Sequence, residues 1–175
     1  VSKSSQKWWA AVKLDPERFN DWLIKQFRGE VTASERIVEF AEKYAPDDRS
    51  RRVLAVIASQ ERQHADWVLS LLQSRGLEPS IDGAEKRYWK ETLPQITSFN
   101  DGCAVGAHAE RMRLERIRTI ASDESAPEDV RQTFSLILKD ELFHEQAFRE
   151  MAGQDALDAT LSCHQCGMEV LGLEP

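Results

Sequence analysis

Two Glu-x-x-His motifs stand in the chain, Glu61-Arg62-Gln63-His64 and Glu141-Leu142-Phe143-His144. Positions three apart share a helix face, so each motif aims a carboxylate and an imidazole in one direction. A shift of 80 residues superposes the two motifs without a gap and also places Glu30 on Glu110, Glu35 on Glu115, Arg36 on Arg116, Ile37 on Ile117 and Ile57 on Ile137. Glu61 and His64 share their stripe with Leu54, Ile57, Ala58, Val68 and Leu72, and Glu141 and His144 share theirs with Phe134, Ile137, Leu138, Phe148 and Met151. Glu30 lies on a stripe with Leu23, Phe27, Ala33, Ile37 and Ala41, and Glu110 lies with Leu114, Ile117 and Ala121. Acids on apolar stripes are destined for a core, where four carboxylates are costly unless arginines or metal ions compensate them. One Glu from each of two helices and a Glu-x-x-His from each of two others make the ligand set of a dinuclear carboxylate centre. Six such ligands, Glu30, Glu61, His64, Glu110, Glu141 and His144, rich in oxygen and free of thiolate, suit iron or manganese better than zinc.

Four helices must position these groups. Asp15-Pro16-Glu17 is a helix start, with Asp as cap and Pro at the first turn, and the pattern runs to Tyr44 before Pro46 interrupts it. A second start at Pro46-Asp47-Asp48 leads a helix to its stop at Gly76. Leu77 to Thr97 carries Pro79, Gly83 and Pro94 and reads as a long connection, with a short helical piece near Ala84 to Glu91. The third helix runs from about Ser98 to Ser122, and Ser125-Ala126-Pro127-Glu128 starts a fourth that ends at Gly153. No run of β-branched residues alternates with polar ones between turn signals, so no strand is expected. The fold class is all-α: a four-helix bundle over residues 1–153 made of two repeated helical hairpins joined by a long crossover. Residues 1–14 form an N-terminal extension, and 154–175 a short mixed tail with a single C-x-x-C, Cys163 and Cys166.

Composition narrows the function classes. At 175 residues, with 41% hydrophobic and 30% charged residues, the chain is one ordinary globular domain. A net charge of −7 opposes a phosphate backbone, so no nucleic-acid partner is expected. No apolar run approaches the roughly 18 residues that a membrane span needs, and Val1 to Lys13 holds no signal core, so a cytoplasmic protein without membrane attachment is expected. Three cysteines are too few for a disulfide scaffold and fit a reducing compartment.

The residues that carry this pattern, Gly29-Glu30, Glu61-Arg62-Gln63-His64, Glu110 and Glu141-Leu142-Phe143-His144, resemble the ferritin-like superfamily and, within it, the rubrerythrin-like proteins, over roughly residues 16 to 152. The resemblance implies a ferritin-like bundle with two iron (or manganese) ions per chain. Glu61 and Glu141 would bridge the metals, Glu30 and Glu110 would be terminal carboxylates, and His64 and His144 would cap one metal each. It implies an oxidoreductase that reduces hydrogen peroxide or activates oxygen with electrons from an unspecified donor, working as a homodimer. The alternative is a ferroxidase that binds and stores iron at the same site.

Three positions depart from the family's pattern. Ile37 and Ile117 stand where a tyrosine is expected after the first-helix Glu, and Arg113 replaces an additional third-helix carboxylate. Cys163-His164-Gln165-Cys166 resembles the first knuckle of the rubredoxin module appended to many rubrerythrins, which suggests a zinc or iron site shared between subunits, or a redox dithiol. Glu35 and Glu115 are expected to pair with arginines, His108 to lie at a surface or interface, and Arg113 to be solvated near the site's edge. Trp8, Trp9, Trp22, Trp67 and Trp89 are expected in the core or at a subunit interface.

Overall fold

In the computed structural model, residues 2–79, 81 and 92–170 are described. Helix α1 spans Lys3–Leu14, α2 Pro16–Tyr44, α3 Asp48–Gln73, α4 Phe99–Ala121, α5 Glu128–Ala152 and α6 Gln154–Val170, with a 3-10 turn at Leu93–Gln95. No strand occurs among the described residues. Side chains at the expected starts satisfy the first free backbone amides: Asp15 accepts from the amides of Glu17 and Arg18, Asp47 from Ser50 and Ser98 from Asp101. Gly76 adopts φ 65° just after α3, and Gly153 adopts φ 74° between α5 and α6. That left-handed residue lets the chain reverse from one helix into the next with a single residue between them.

The hairpins α2/α3 and α4/α5 pack along their length, α6 lies on α4 and α5, and α1 lies on α2 and α4. Two apolar clusters fill the bundle. One gathers Trp9, Leu23, Val68, Leu72, Ile120 and Phe134. The other gathers Ile37, Leu54, Ile57, Cys103, Ala107 and Phe148. Along each of the four long helices the acids fall between the two clusters: Glu30 between Leu23 and Ile37, Glu61 between Ile57 and Val68, Glu110 between Ala107 and Ile117, and Glu141 between Ile137 and Phe148. The bundle therefore sandwiches one polar layer between two dry ends. At one of these ends a Cβ on Gly102 of α4 would stand 2.1 Å from the ring of Phe40, so glycine is what lets α2 place that ring against α4.

Both ends of the chain add helices to the expected four. In α1, the buried Ser5, Trp9 and Val12 follow helical spacing, and Ser2 caps the amide of Ser5. The Trp9 indole is 2% exposed and donates to Asp123 beyond α4 at 2.8 Å. Residues 154–170, expected as a mixed tail, form α6 because Leu157 and Thr160 give it a buried stripe and the turn at Gly153 brings that stripe onto α4. Trp8, Trp22 and Trp67 pack partly buried against the cluster that holds Trp9. Trp89 and the helical piece expected at 84–91 lie outside the described residues. Among the described residues no helix is long and apolar enough to cross a membrane.

Candidate metal centre

The polar layer brings together all six residues singled out by spacing. Glu30 comes from α2, Glu61 and His64 from α3, Glu110 from α4, and Glu141 and His144 from α5, none more than 5% exposed. Their ligand atoms form two groups able to hold a metal ion, Glu30, Glu61, His64 and Glu141 in one and Glu61, Glu110, Glu141 and His144 in the other, each within 4.8 Å. Glu61 and Glu141 belong to both. The Nδ1 atom of His144 lies 3.3 Å from Glu61 and 3.7 Å from Glu141. The Nδ1 atom of His64 lies 3.9 Å from Glu61 and 3.7 Å from Glu141.

The outer nitrogens fix the imidazoles. The Nε2 atom of His64 lies 3.1 Å from Oδ2 of Asp140, and that of His144 lies 3.1 Å from Oε1 of Gln60. A carboxylate and an amide carbonyl only accept, so each Nε2 carries the hydrogen and donates it. Gln60 in turn donates to Asp140 at 3.0 Å, closing a belt across α3 and α5. Burial holds both imidazoles below the ordinary histidine range, against the opposing pull of nearby carboxylates. A neutral imidazole with hydrogen on Nε2 turns a bare lone pair inward at Nδ1.

These inward atoms suit a metal. Both oxygens of Glu61, both of Glu141, Oε2 of Glu110 and the two Nδ1 atoms are buried and make no hydrogen bond. All are acceptors, and acceptors that converge without hydrogen bonds draw cations; the Arg113 guanidinium is one cation already beside the carboxylates, and metal ions would satisfy the rest. Burial, reinforced by the neighbouring Glu141 charge, pushes Glu61 and Glu110 well above the usual carboxylate range. The donor set therefore fits a pair of hard or borderline metal ions.

Arg113 stands at the edge, its side chain 23% exposed, but its head turns inward instead of remaining in water. Its Nη2 donates to both oxygens of Glu30 at 2.8 and 2.7 Å and lies 3.0 Å from Glu141. Its Nη1 lies 3.5 Å from Glu110 and 3.6 Å from Glu61. Standing one turn after Glu110 on α4, it folds inward because four acids outcompete water for its charge. Burial opposes that charge, and the fields of Glu141, Glu30, Glu110 and Glu61 outweigh it and hold the guanidinium protonated. Burial, the largest influence, likewise pushes Glu30 up, yet Arg113 together with the neighbouring Glu61 and His64 outweighs it and holds that carboxyl at about 2. Gln26, one turn before Glu30, donates to it as well.

Elsewhere the expectations divide. Cys163 is half-buried and Cys166 exposed, three residues apart on α6 rather than in a knuckle turn. Among the described residues they join no group of three metal-capable side chains. Burial pushes the Cys103 thiol up to about 12, which removes it as a nucleophile near neutrality. His108 is not at the surface: α6 covers it, its Nε2 lies 3.1 Å from the carbonyl of Leu157, and its ring stacks on His164 at 4.7 Å. Glu115 accepts from the amide of Ser2 and the hydroxyl of Ser5 and so anchors α1, while Glu35 is exposed. The belt residues Gln60 and Asp140 went unremarked in the sequence, although they obey the same 80-residue shift, one position before each motif's Glu.

The fold and the layer together define an all-α bundle protein with a buried carboxylate and histidine centre. The chain belongs to the rubrerythrin family, whose model, described as Rubrerythrin, matches residues 21–152. It is a family of di-iron carboxylate proteins. No curated protein and no solved structure matches the chain significantly.

Proposed function

We propose that the chain is a rubrerythrin-like oxidoreductase holding two iron, or two manganese, ions, which reduces hydrogen peroxide or activates oxygen. The observation that carries this reading is the convergence on one point of buried acceptors without hydrogen bonds from α3, α4 and α5, beside Glu30 of α2. Glu61 and Glu141, common to both candidate groups, are the shared ligands; Glu30 and His64 complete one position, Glu110 and His144 the other. Iron bound there supplies Lewis acidity and electrons to a small oxidant.

The protein's own part is to hold and to exclude. Asp140 and Gln60 fix the two imidazoles in the tautomer that presents Nδ1, and the apolar clusters on either side keep bulk water from the layer. The side chain of Arg113, 23% exposed beside ligands that are nearly fully buried, marks the side from which a small oxidant enters. Ile37, buried two turns after Glu30, adds an apolar side chain to the cluster on one side of the layer where a phenol is expected. Tyr44 lies roughly 21 Å further along α2 than Glu30 and bonds the carbonyl of Ile96, away from the centre.

Metal content per chain, measured on protein prepared without chelators, tests the proposal. About two iron or manganese ions per chain are expected, and Glu141→Ala should lose both. Metal absent from the parent, or retained in full by the variant, overturns the assignment. With the content established, oxidation of the reduced protein by peroxide and by oxygen separates peroxide turnover from iron oxidation and storage.

A further inference from the structure

One guanidinium reaches an oxygen of every carboxylate in the centre. Arg113 lies 2.7 Å from Glu30, 3.0 Å from Glu141, 3.5 Å from Glu110 and 3.6 Å from Glu61, so a single side chain contacts acids of all four long helices. Its hold is uneven. Both oxygens of Glu30 are taken by Nη2, whereas Glu110 Oε2 and both oxygens of Glu61 and Glu141 make no hydrogen bond. Glu61 and Glu141 belong to both ligand groups, so the groups differ at one carboxylate: Glu30 has both oxygens hydrogen-bonded by Arg113, whereas Oε2 of Glu110 lies 3.5 Å from Nη1 and makes no hydrogen bond. Charge gives Arg113 a reason to leave. Four carboxylates balance two divalent ions, which would leave the guanidinium an uncompensated cation in a buried layer.

We infer that Arg113 is a charge latch on the centre: it occupies Glu30 until a second divalent ion displaces it, so that metal loads in two steps, first beside His144 and then beside His64. The inference rests on the dinuclear reading above and adds an order of filling and a residue that governs it. Arg113 has somewhere to go, because it is the exposed member of the cluster and its long flexible stem can carry the head outward into water. Displacement is a competition between two cations for Glu30, and competition of this kind couples affinities by about tenfold or more.

The test is titration of the metal-free full chain with Mn2+, following the free-ion electron paramagnetic resonance signal. The parent should take up two ions in separated steps, the second at least about tenfold weaker. In Arg113→Gln the second step should tighten by about tenfold or more while the first shifts less than about threefold. Equal two-step constants in parent and variant overturn the latch and leave the dinuclear reading standing. No uptake by any form overturns the dinuclear reading, and the latch with it. Loss of circular dichroism helicity in Arg113→Gln transfers the test to Arg113→Lys, which keeps the charge but not the fork. Its second step should tighten and its first should not; constants matching the parent's, or equal shifts in both steps, overturn the proposal.

Discussion

His64 donates its Nε2 hydrogen to Asp140 across the contact between α3 and α5, with the two atoms 3.1 Å apart. The counterpart of Asp140 in the other hairpin is Gln60, a neutral amide facing His144. A carboxylate raises the basicity of the imidazole it holds more than an amide does, so the two histidines are unequal ligands although the backbone repeats. Asp140→Asn should weaken uptake of the ion beside His64 by about 10- to 100-fold and leave the ion beside His144 less affected. Mn2+ titration of the variant measures this, and equal weakening of both steps would contradict the assigned pairing.

Buried acceptors without hydrogen bonds make the centre a liability in the metal-free protein. Both oxygens of Glu61 are in that condition, and burial is the largest influence on the carboxyl, ahead of the Glu141 charge. Glu61→Gln should therefore stabilise the chelated protein, by about 1–3 kcal/mol in urea unfolding, and abolish the gain in melting temperature that Mn2+ gives the parent. A variant that is less stable when metal-free would show that Glu61 contributes to the fold itself.

The approach of Phe40 to Gly102 makes a purely steric prediction. A methyl group there meets ring carbons at 2.1 and 2.5 Å, and the ring is confined by Phe99, stacked 5.8 Å away, and Tyr44, 5.5 Å away. Gly102→Ala should cost about 1–3 kcal/mol in chemical denaturation despite the better helix propensity of alanine. Phe40→Leu in the same background should recover part of that loss.

Asp123 clamps α1 to the turn between α4 and α5, accepting from the Trp9 indole, the Lys13 ammonium, and the amide and hydroxyl of Ser125. Burial pushes its carboxyl up, and those hydrogen bonds outweigh burial and hold it far below the usual carboxylate range. A depressed carboxyl gives stability that is fully present above its ordinary value, near 3.9, and is lost as pH falls toward the lowered one. Asp123→Asn should be less stable than the parent by about 1–3 kcal/mol at pH 7, with the gap closing below about pH 4. Thermal melts across pH check this, and a gap independent of pH would assign the loss to packing.

The helices that carry the ligands were legible because their caps are local: Asp15, Asp47 and Ser98 bond amides two or three residues away. The six ligands were legible because the repeat doubles a face pattern that would be unremarkable once. Arg113 was not, since nothing in its spacing tells an arginine drawn inward by four acids from one left in water. The belt of Gln60 and Asp140 depends on the crossing of α3 and α5, a relation between helices that a pattern within one helix does not encode. Likewise α6 is held by contacts such as Leu157 with His108, 49 residues apart in the chain.

The pair Glu30 and Arg113 is separated by 83 residues. During synthesis α2 and α3 emerge with Glu30 and Glu61 on the face that must later be buried, long before their counter-charge exists. A hairpin bearing unmatched acids on its inner face stays hydrated and does not collapse on itself or on a neighbour's apolar stripe. Docking of the halves thus waits for α4 to arrive, and the acids of the centre keep the nascent first half open until its partner is made.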